Sequence, residues 1–165
     1  MHFTGIKIVT MKKINDPKQL LVSAIESGTV IDHIPASTLF KVIKILGLDK
    51  IPNQITFGTN LESKTDGKKA IIKIAGKFFE DDDINRIALV APKAKLNIIR
   101  DYEVIEKRVV GVPDTITAIA KCMNPKCITN FEKVTTKFKV VSKKPLALKC
   151  HYCEKITDQE RLEII

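Results

Sequence analysis

The chain has 165 residues, 44% hydrophobic and 28% charged, which suits one ordinary domain or two small ones and excludes a solenoid, a large barrel or a disordered chain. No apolar run approaches the roughly 18 residues of a bilayer span. The amino terminus lacks the basic segment, apolar stretch and cleavage site of a secretory signal, so the cytoplasm is the expected compartment. Twenty-eight Lys and Arg against 19 Asp and Glu give a net charge of +9, spread as +5 over residues 1–113 and +4 over 114–165. Polyanions are therefore candidate partners, while 5% aromatics and no Trp argue against a base-stacking surface for single strands.

Residues 1–18 are basic, lack a clear period and end in the turn signal Asn15-Asp16-Pro17, which predicts an arm with at most one strand over residues 6–9. Residues 19–26 and 29–34 are apolar runs separated by Ser27-Gly28, the pattern of a β-hairpin. Pro35 suits a first helical turn. Leu39, Val42, Ile43 and Leu46 then recur at helical spacing until Gly47 stops the pattern. Residues 55–61 alternate, a polar turn covers 62–68, and residues 70–75 return as a second hairpin strand.

Asp81, Asp82 and Asp83 precede the amphipathic run Ile84, Ile87, Ala88 and Ala91, where carboxylates fit a helix N-terminus; a metal site is the alternative for the triplet. Pro92 ends that helix. Strands at 95–99 and 103–110 flank a turn at Arg100-Asp101. The order β-β-α-β-β-α-β-β predicts an α+β fold, an antiparallel sheet with both helices on one face. Residues 111–114, Gly-Val-Pro-Asp, mark a domain boundary, and every cysteine lies beyond it.

Four residues separate Cys122 from Cys127 and two separate Cys150 from Cys153, with 22 residues between the pairs. Two close pairs joined by a returning segment, with strands expected at 133–141 and 146–149, have the spacing of a tetrahedral metal site. Zinc suits a sulfur-only structural site, and iron is the alternative that spacing leaves open. Disulfides or free thiols are the other readings, disfavoured in a cytoplasmic chain. Four thiolates leave no open position, so the metal supports folding and not catalysis. His151 inside the second pair reads as a solvated neighbour.

Residues 1–121 hold no Ser-His-Asp set, phosphate-binding glycine loop or two-histidine metal motif. They do place polar residues on apolar strands: Asp32, His33, Lys73, Asn97, Tyr102 and Lys107. Taken alone these fit the solvent face of alternating strands. Yet GTVIDHIPA at 28–36, NIIRDYEV at 97–104 and the four-cysteine arrangement ending CHYCEK together resemble the regulatory chain of aspartate carbamoyltransferase, from about Leu20 to the carboxyl terminus.

That resemblance implies a non-catalytic subunit of the pyrimidine pathway. Its parts would be an extension at 1–18, a ferredoxin-like allosteric nucleotide-binding domain at 19–111, and a small all-β, rubredoxin-like zinc domain at 112–165 that docks on the catalytic chain. It implies a regulatory homodimer and an assembly of two catalytic trimers with three regulatory dimers. By the family's pattern the site for ATP, CTP or UTP comprises Val22, Ile25, Asp32, His33, Lys73, Asn97, Ile99, Tyr102, Val104 and Lys107. The lysines, with His33, would meet the triphosphate; Asp32 would accept from ribose or order His33; the apolar members would hold the base, and Asn97 and Tyr102 would read its edge. Ser23 stands where the pattern carries an acidic residue and Glu26 where it carries a basic one, which bears on base selectivity. Asn124 fits the family's interface loop, whereas Pro125 and Lys126 depart from it. A zinc-ribbon nucleic-acid-binding protein is the rival reading, suggested by the charge and the cysteine pairs.

Overall fold

The computed structural model describes residues 23–65 and 67–165. Seven strands and helices form the first unit: β1 (Gly28–Pro35), α1 (Leu39–Ile45), β2 (Ile55–Ser63), β3 (Gly67–Ala75), α2 (Asp81–Ile87), β4 (Lys95–Arg100) and β5 (Glu103–Val109). The strands make one antiparallel sheet in the order β2-β3-β1-β4-β5. Alternation sends Ile31, Ile72, Ile74 and Leu96 to one face, where they bury against Leu39 and Val42 of α1 and Ile84 and Ile87 of α2. Each of these eight is at most 3% exposed, so this is the main core of the unit.

Local chemistry explains most boundaries. Gly47, at φ +61°, follows the last turn of α1 in the left-handed conformation that glycine adopts without a Cβ penalty. Gly28 opens β1 at φ +137°, and a Cβ there would lie 2.1 Å from the carbonyl oxygen of Ile74. Glycine is thus required both for the dihedral and for the close approach of β3. The β4–β5 connection turns at Asp101 and Tyr102, both at positive φ (51° and 65°), as a two-residue hairpin matched to strand twist demands.

Four expectations are corrected. The strand foreseen over 19–26 lies partly outside the described residues, and its described part, 23–26, is not in a strand. A hairpin with β1 has no place to form, because β3 and β4 already occupy both edges of β1 from Gly28 to Ile31. The strand over residues 6–9 and the arm of residues 1–18 also lie outside the described residues. Second, the Asp triplet forms the first turn of α2 instead of capping it: Glu80 is the N-cap, without a side-chain cap bond. Third, the turn after β4 is centred on Asp101-Tyr102, one residue beyond Arg100-Asp101. Fourth, the strand expected at 133–141 runs later, as given next.

The second unit is all-β: β6 (Thr115–Thr117), β7 (Lys137–Lys143), β8 (Leu146–Cys150) and β9 (Ile156–Asp158), antiparallel in that order. Its core gathers Ile116, Phe138, Leu146 and Leu148 with Cys122, Cys127 and Cys150. β6 and β9 were not foreseen, since three residues are too few to display a period. The turn after α2 joins the two units: Leu89 is buried in the second core while Ala88 and Ala91 belong to the first, and Ile45, Val90 and Val112 pack against both. Among the described residues no helix is long and apolar enough to cross a membrane.

Candidate functional site

The four cysteines converge, with every Sγ within 4.8 Å of the others. Cys122 and Cys153 stand 3.6 Å apart and Cys127 and Cys150 3.8 Å. A tetrahedron with metal–sulfur bonds of roughly 2.3 Å has an edge of about 3.8 Å, which these two separations match, so the donor set suits one zinc ion. Each pair sits on a tight turn. In the first, Cys127 N–H donates to the Asn124 carbonyl at 3.0 Å, while the Asn130 amide donates to the carbonyls of Cys122 (3.1 Å) and Asn124 (2.8 Å). In the second, Glu154 at φ +59° donates to the Cys150 carbonyl at 3.0 Å.

Electrostatics agrees with a cation at the centre. Burial pushes the Cys122 and Cys150 thiols up.

 For Cys150 this holds although the backbone N–H groups of Tyr152 and Cys153 point at its sulfur. Burial raises Cys153 as well, but the Asn124 side chain and the Lys155 N–H outweigh it and bring that thiol to about 7. Thiols this close cannot all ionise without a counter-charge, and a divalent ion supplies it while displacing their protons. Thr129 adds a hydroxyl donor to Cys127 Sγ at 3.2 Å, a contact that sequence reading missed. His151 is exposed and outside the cluster, stacked edge-on with Tyr152. Asp81, Asp82 and Asp83 form no metal cluster either; Asp81 accepts from Arg108 Nη1 at 2.9 Å.

The other candidate residues gather on the sheet face opposite the helices. Register places Lys73, Val30, Asn97 and Lys107 side by side, one from each of β3, β1, β4 and β5. Cross-strand partners share a face, so these four side chains stand in one row. The adjacent row at one end holds Gly28, Ile99 and Val104, brought into line by a bulge at Ile105 of β5. The adjacent row at the other end holds Asp32 and Lys95. Val30 and Ile99 are buried within this face and form its apolar floor.

A bulge in β1 sets Asp32 and His33. Ile31 opposes Ile72 and Ile34 opposes Ala70, leaving one extra residue in β1, with His33 at φ +59°. His33 N–H donates to Asp32 Oδ1 at 2.6 Å. Its Nδ1 lies 3.3 Å from Asp32 Oδ2 but is not aligned for a hydrogen bond, so this buried nitrogen has no hydrogen-bond partner. The His33 side chain borders a separate cavity of about 410 Å³, shared with Thr38, Lys69, Pro92 and Gln159. Ile25 and Tyr102 instead border a cavity of about 440 Å³ with Ser23, Thr56 and Gly76. Tyr102 N–H donates to the Glu26 carbonyl at 2.9 Å, and Lys73 Nζ donates to the Ser23 carbonyl at 2.7 Å, which fastens residues 23–26 beside the face. Val22 lies outside the described residues.

Two lysines on this face escaped the sequence reading. Lys69 Nζ holds Asp32 at 2.9 Å, and Lys95 projects beside it from β4. The signal was present as alternation: Lys69, Ile71 and Lys73 share a face of β3, as Lys95, Asn97 and Ile99 share one of β4. Four lysines and one carboxylate thus surround an apolar floor. Burial lowers Lys73 somewhat, and Asp32 counteracts this.

Comparison with known proteins addresses the whole of this arrangement. The sequence model described as "Aspartate carbamoyltransferase regulatory chain, allosteric domain" matches residues 20–111, and that described as "Aspartate carbamoyltransferase regulatory chain, metal binding domain" matches residues 114–163. An aspartate carbamoyltransferase regulatory chain of Bacteroides fragilis is 56% identical over 153 residues, covering 92% of this chain and 100% of the relative. One of Pyrococcus horikoshii is 54% identical over 146 residues, covering 87% and 96%. These likenesses span both units and do not favour the nucleic-acid reading. Cysteine geometry, sheet topology and sequence agree, and the chain belongs to the family of aspartate carbamoyltransferase regulatory chains.

Proposed function

We propose that this chain binds nucleoside triphosphates on the open face of its first sheet and transmits their effect to an aspartate carbamoyltransferase catalytic chain through its zinc-bound unit. One observation carries the reading: Lys69, Lys73, Lys95 and Lys107 share a single face with an apolar floor and one carboxylate, and the helices cover only the opposite face. A solvated sheet face normally mixes both signs, whereas one sign around an apolar patch suits a flat base carrying phosphates. Val22, Ile25, Ile99, Tyr102 and Val104 would hold the base. Asn97 would read its edge, Lys73 and Lys107 would meet phosphate, and Asp32, ordered by the backbone N–H of His33, would face the ribose or the phosphates.

The proposed division places an extension at 1–18, the nucleotide domain at 19–111 and the zinc domain at 112–165. Zinc would be structural, holding the loops around both cysteine pairs so that exposed Ile128, Phe131, Tyr152 and Ile156 present apolar surface to the catalytic chain. The assembly would contain regulatory homodimers, three of them with two catalytic trimers. Coupling arises only if the nucleotide binds one quaternary state better than another, typically by about 1–3 kcal/mol.

Calorimetric titration of ATP, CTP and UTP, with and without the catalytic chain, tests this reading. Saturable binding that changes when the catalytic chain is present supports it. Absence of binding, or no association with the catalytic chain by size exclusion, refutes it.

A further inference from the structure

We infer that Lys95 extends the nucleotide face by one row and takes the terminal phosphate of a nucleoside triphosphate, so that this residue reads the length of the polyphosphate. The inference rests on the nucleotide reading of the face given above.

The geometry runs along β4. Ile99 lies in the apolar row beside Val104; Asn97 lies in the middle row between Val30 and Lys107; Lys95 lies in the last row between Asp32 and Val109. Leu96 and Ile98 between them are buried on the helix side, so Lys95, Asn97 and Ile99 point the same way. From Ile99 to Lys95 the strand advances roughly 13 Å. A base seated at Ile99, with Asn97 at its edge, therefore leaves its first phosphate near Lys107, and only a longer chain reaches Lys95.

Its surroundings leave the Lys95 charge available. Asp32, the nearest carboxylate in register, is already held by Lys69 Nζ at 2.9 and 3.1 Å from its two oxygens and by the His33 N–H. Val109, the neighbour on the other side, is apolar and 78% exposed. Among the described residues Lys95 makes no ion pair, although the site around it has one carboxylate for four lysines. A lysine that served only solubility would carry no preference between nucleotides differing in phosphate number.

The experiment is titration of the full-length chain, and of Lys95→Met and Lys95→Arg, with a nucleoside triphosphate and with the corresponding monophosphate. Lys95→Met is expected to weaken the triphosphate about five- to tenfold, the discount on a charged hydrogen bond reflecting exposure, and to leave the monophosphate within about twofold. Lys95→Arg restores the preference, because charge and reach are kept. An unchanged ratio of the two affinities in Lys95→Met, with both nucleotides still bound, overturns the inference and leaves the nucleotide reading intact. Failure of the unmodified chain to bind either nucleotide overturns both.

Discussion

Lys69 Nζ lies 2.9 Å from Asp32 Oδ1, joining β3 to the bulge of β1 at the rim of the lysine-lined face. Neither residue is fully buried, at 23% and 20% side-chain exposure, and the pair forms where β1 departs from regular register. The carboxylate thereby holds both the positive-φ backbone of His33 and a lysine of the neighbouring strand.

This pair makes a pH prediction. Burial raises the Asp32 carboxyl, but the Lys69 hydrogen bond, the His33 N–H and the charge of Lys69 outweigh it and hold the group below its ordinary 3.8. A depressed carboxyl stabilises the fold above its unfolded value, and that contribution is lost as pH falls through the lowered value. Lys69→Met removes the largest of the opposing effects. Asp32 should then titrate higher, stability at neutral pH should fall, and less stability should be lost between neutral and acid pH than in the unmodified protein. Carboxyl NMR titration of both proteins checks this; an unmoved Asp32 titration contradicts it.

Metal removal should unfold the second unit. Its core is small and includes three of the four cysteines, and zinc binding in comparable modules contributes roughly 10–16 kcal/mol of apparent free energy. A strong chelator should release one zinc per chain, expose four titratable thiols and abolish association with the catalytic chain. Because Leu89, Val90 and Val112 also lose packing, the first unit should melt earlier while remaining folded at ambient temperature. Thiol titration with calorimetry measures both effects.

Gly28→Ala tests the close approach of β1 and β3. A Cβ at this position would meet the Ile74 carbonyl oxygen at 2.1 Å and the Gly76 nitrogen at 2.9 Å, on a backbone with φ +137°. Backbone must shift, so the expected cost is about 3 kcal/mol or more. Denaturant unfolding gives the value, and a loss below about 1 kcal/mol would show that the strand entry is less constrained than this geometry requires.

Lys107→Ala should weaken triphosphate binding by about tenfold with little change in stability, since Lys107 is exposed and makes its proposed contact only with ligand. Raising the salt concentration should narrow the difference between the two proteins, because exposed charges are screened. Calorimetric titration at two ionic strengths reads both. Equal affinity in the variant would remove Lys107 from the site.

Much of this protein was legible before its structure. Periods of two and of 3.6 located both helices and the strands of the second and third hairpins, because each of those segments is half buried and its alternation reports which face meets the core. The cysteine spacing predicted the metal centre, since two short pairs must each wrap a turn to bring two sulfurs to one point. The hairpin expected before Pro35 failed for a tertiary reason: the two edges of β1 are filled by β3 and β4, which lie 32 or more residues further along the chain. Local pattern ranks a strand's propensity but not its neighbours.

The sequence by itself determined the class of fold, the four cysteines that converge and the core-facing side of the longer strands, because all of these follow from local spacing and side-chain chemistry. Tertiary structure alone decided which residues share a row. Lys73, Asn97 and Lys107 come from three strands and meet only through register; Lys95 joins them by its register opposite Asp32, and Lys69 by its ion pair with that carboxylate. His33 was parted from that row by the same bulge, which points its ring toward another cavity. The physical reason is that register depends on hydrogen bonds between segments distant in sequence, and a single extra residue in one strand changes which side chains face one another.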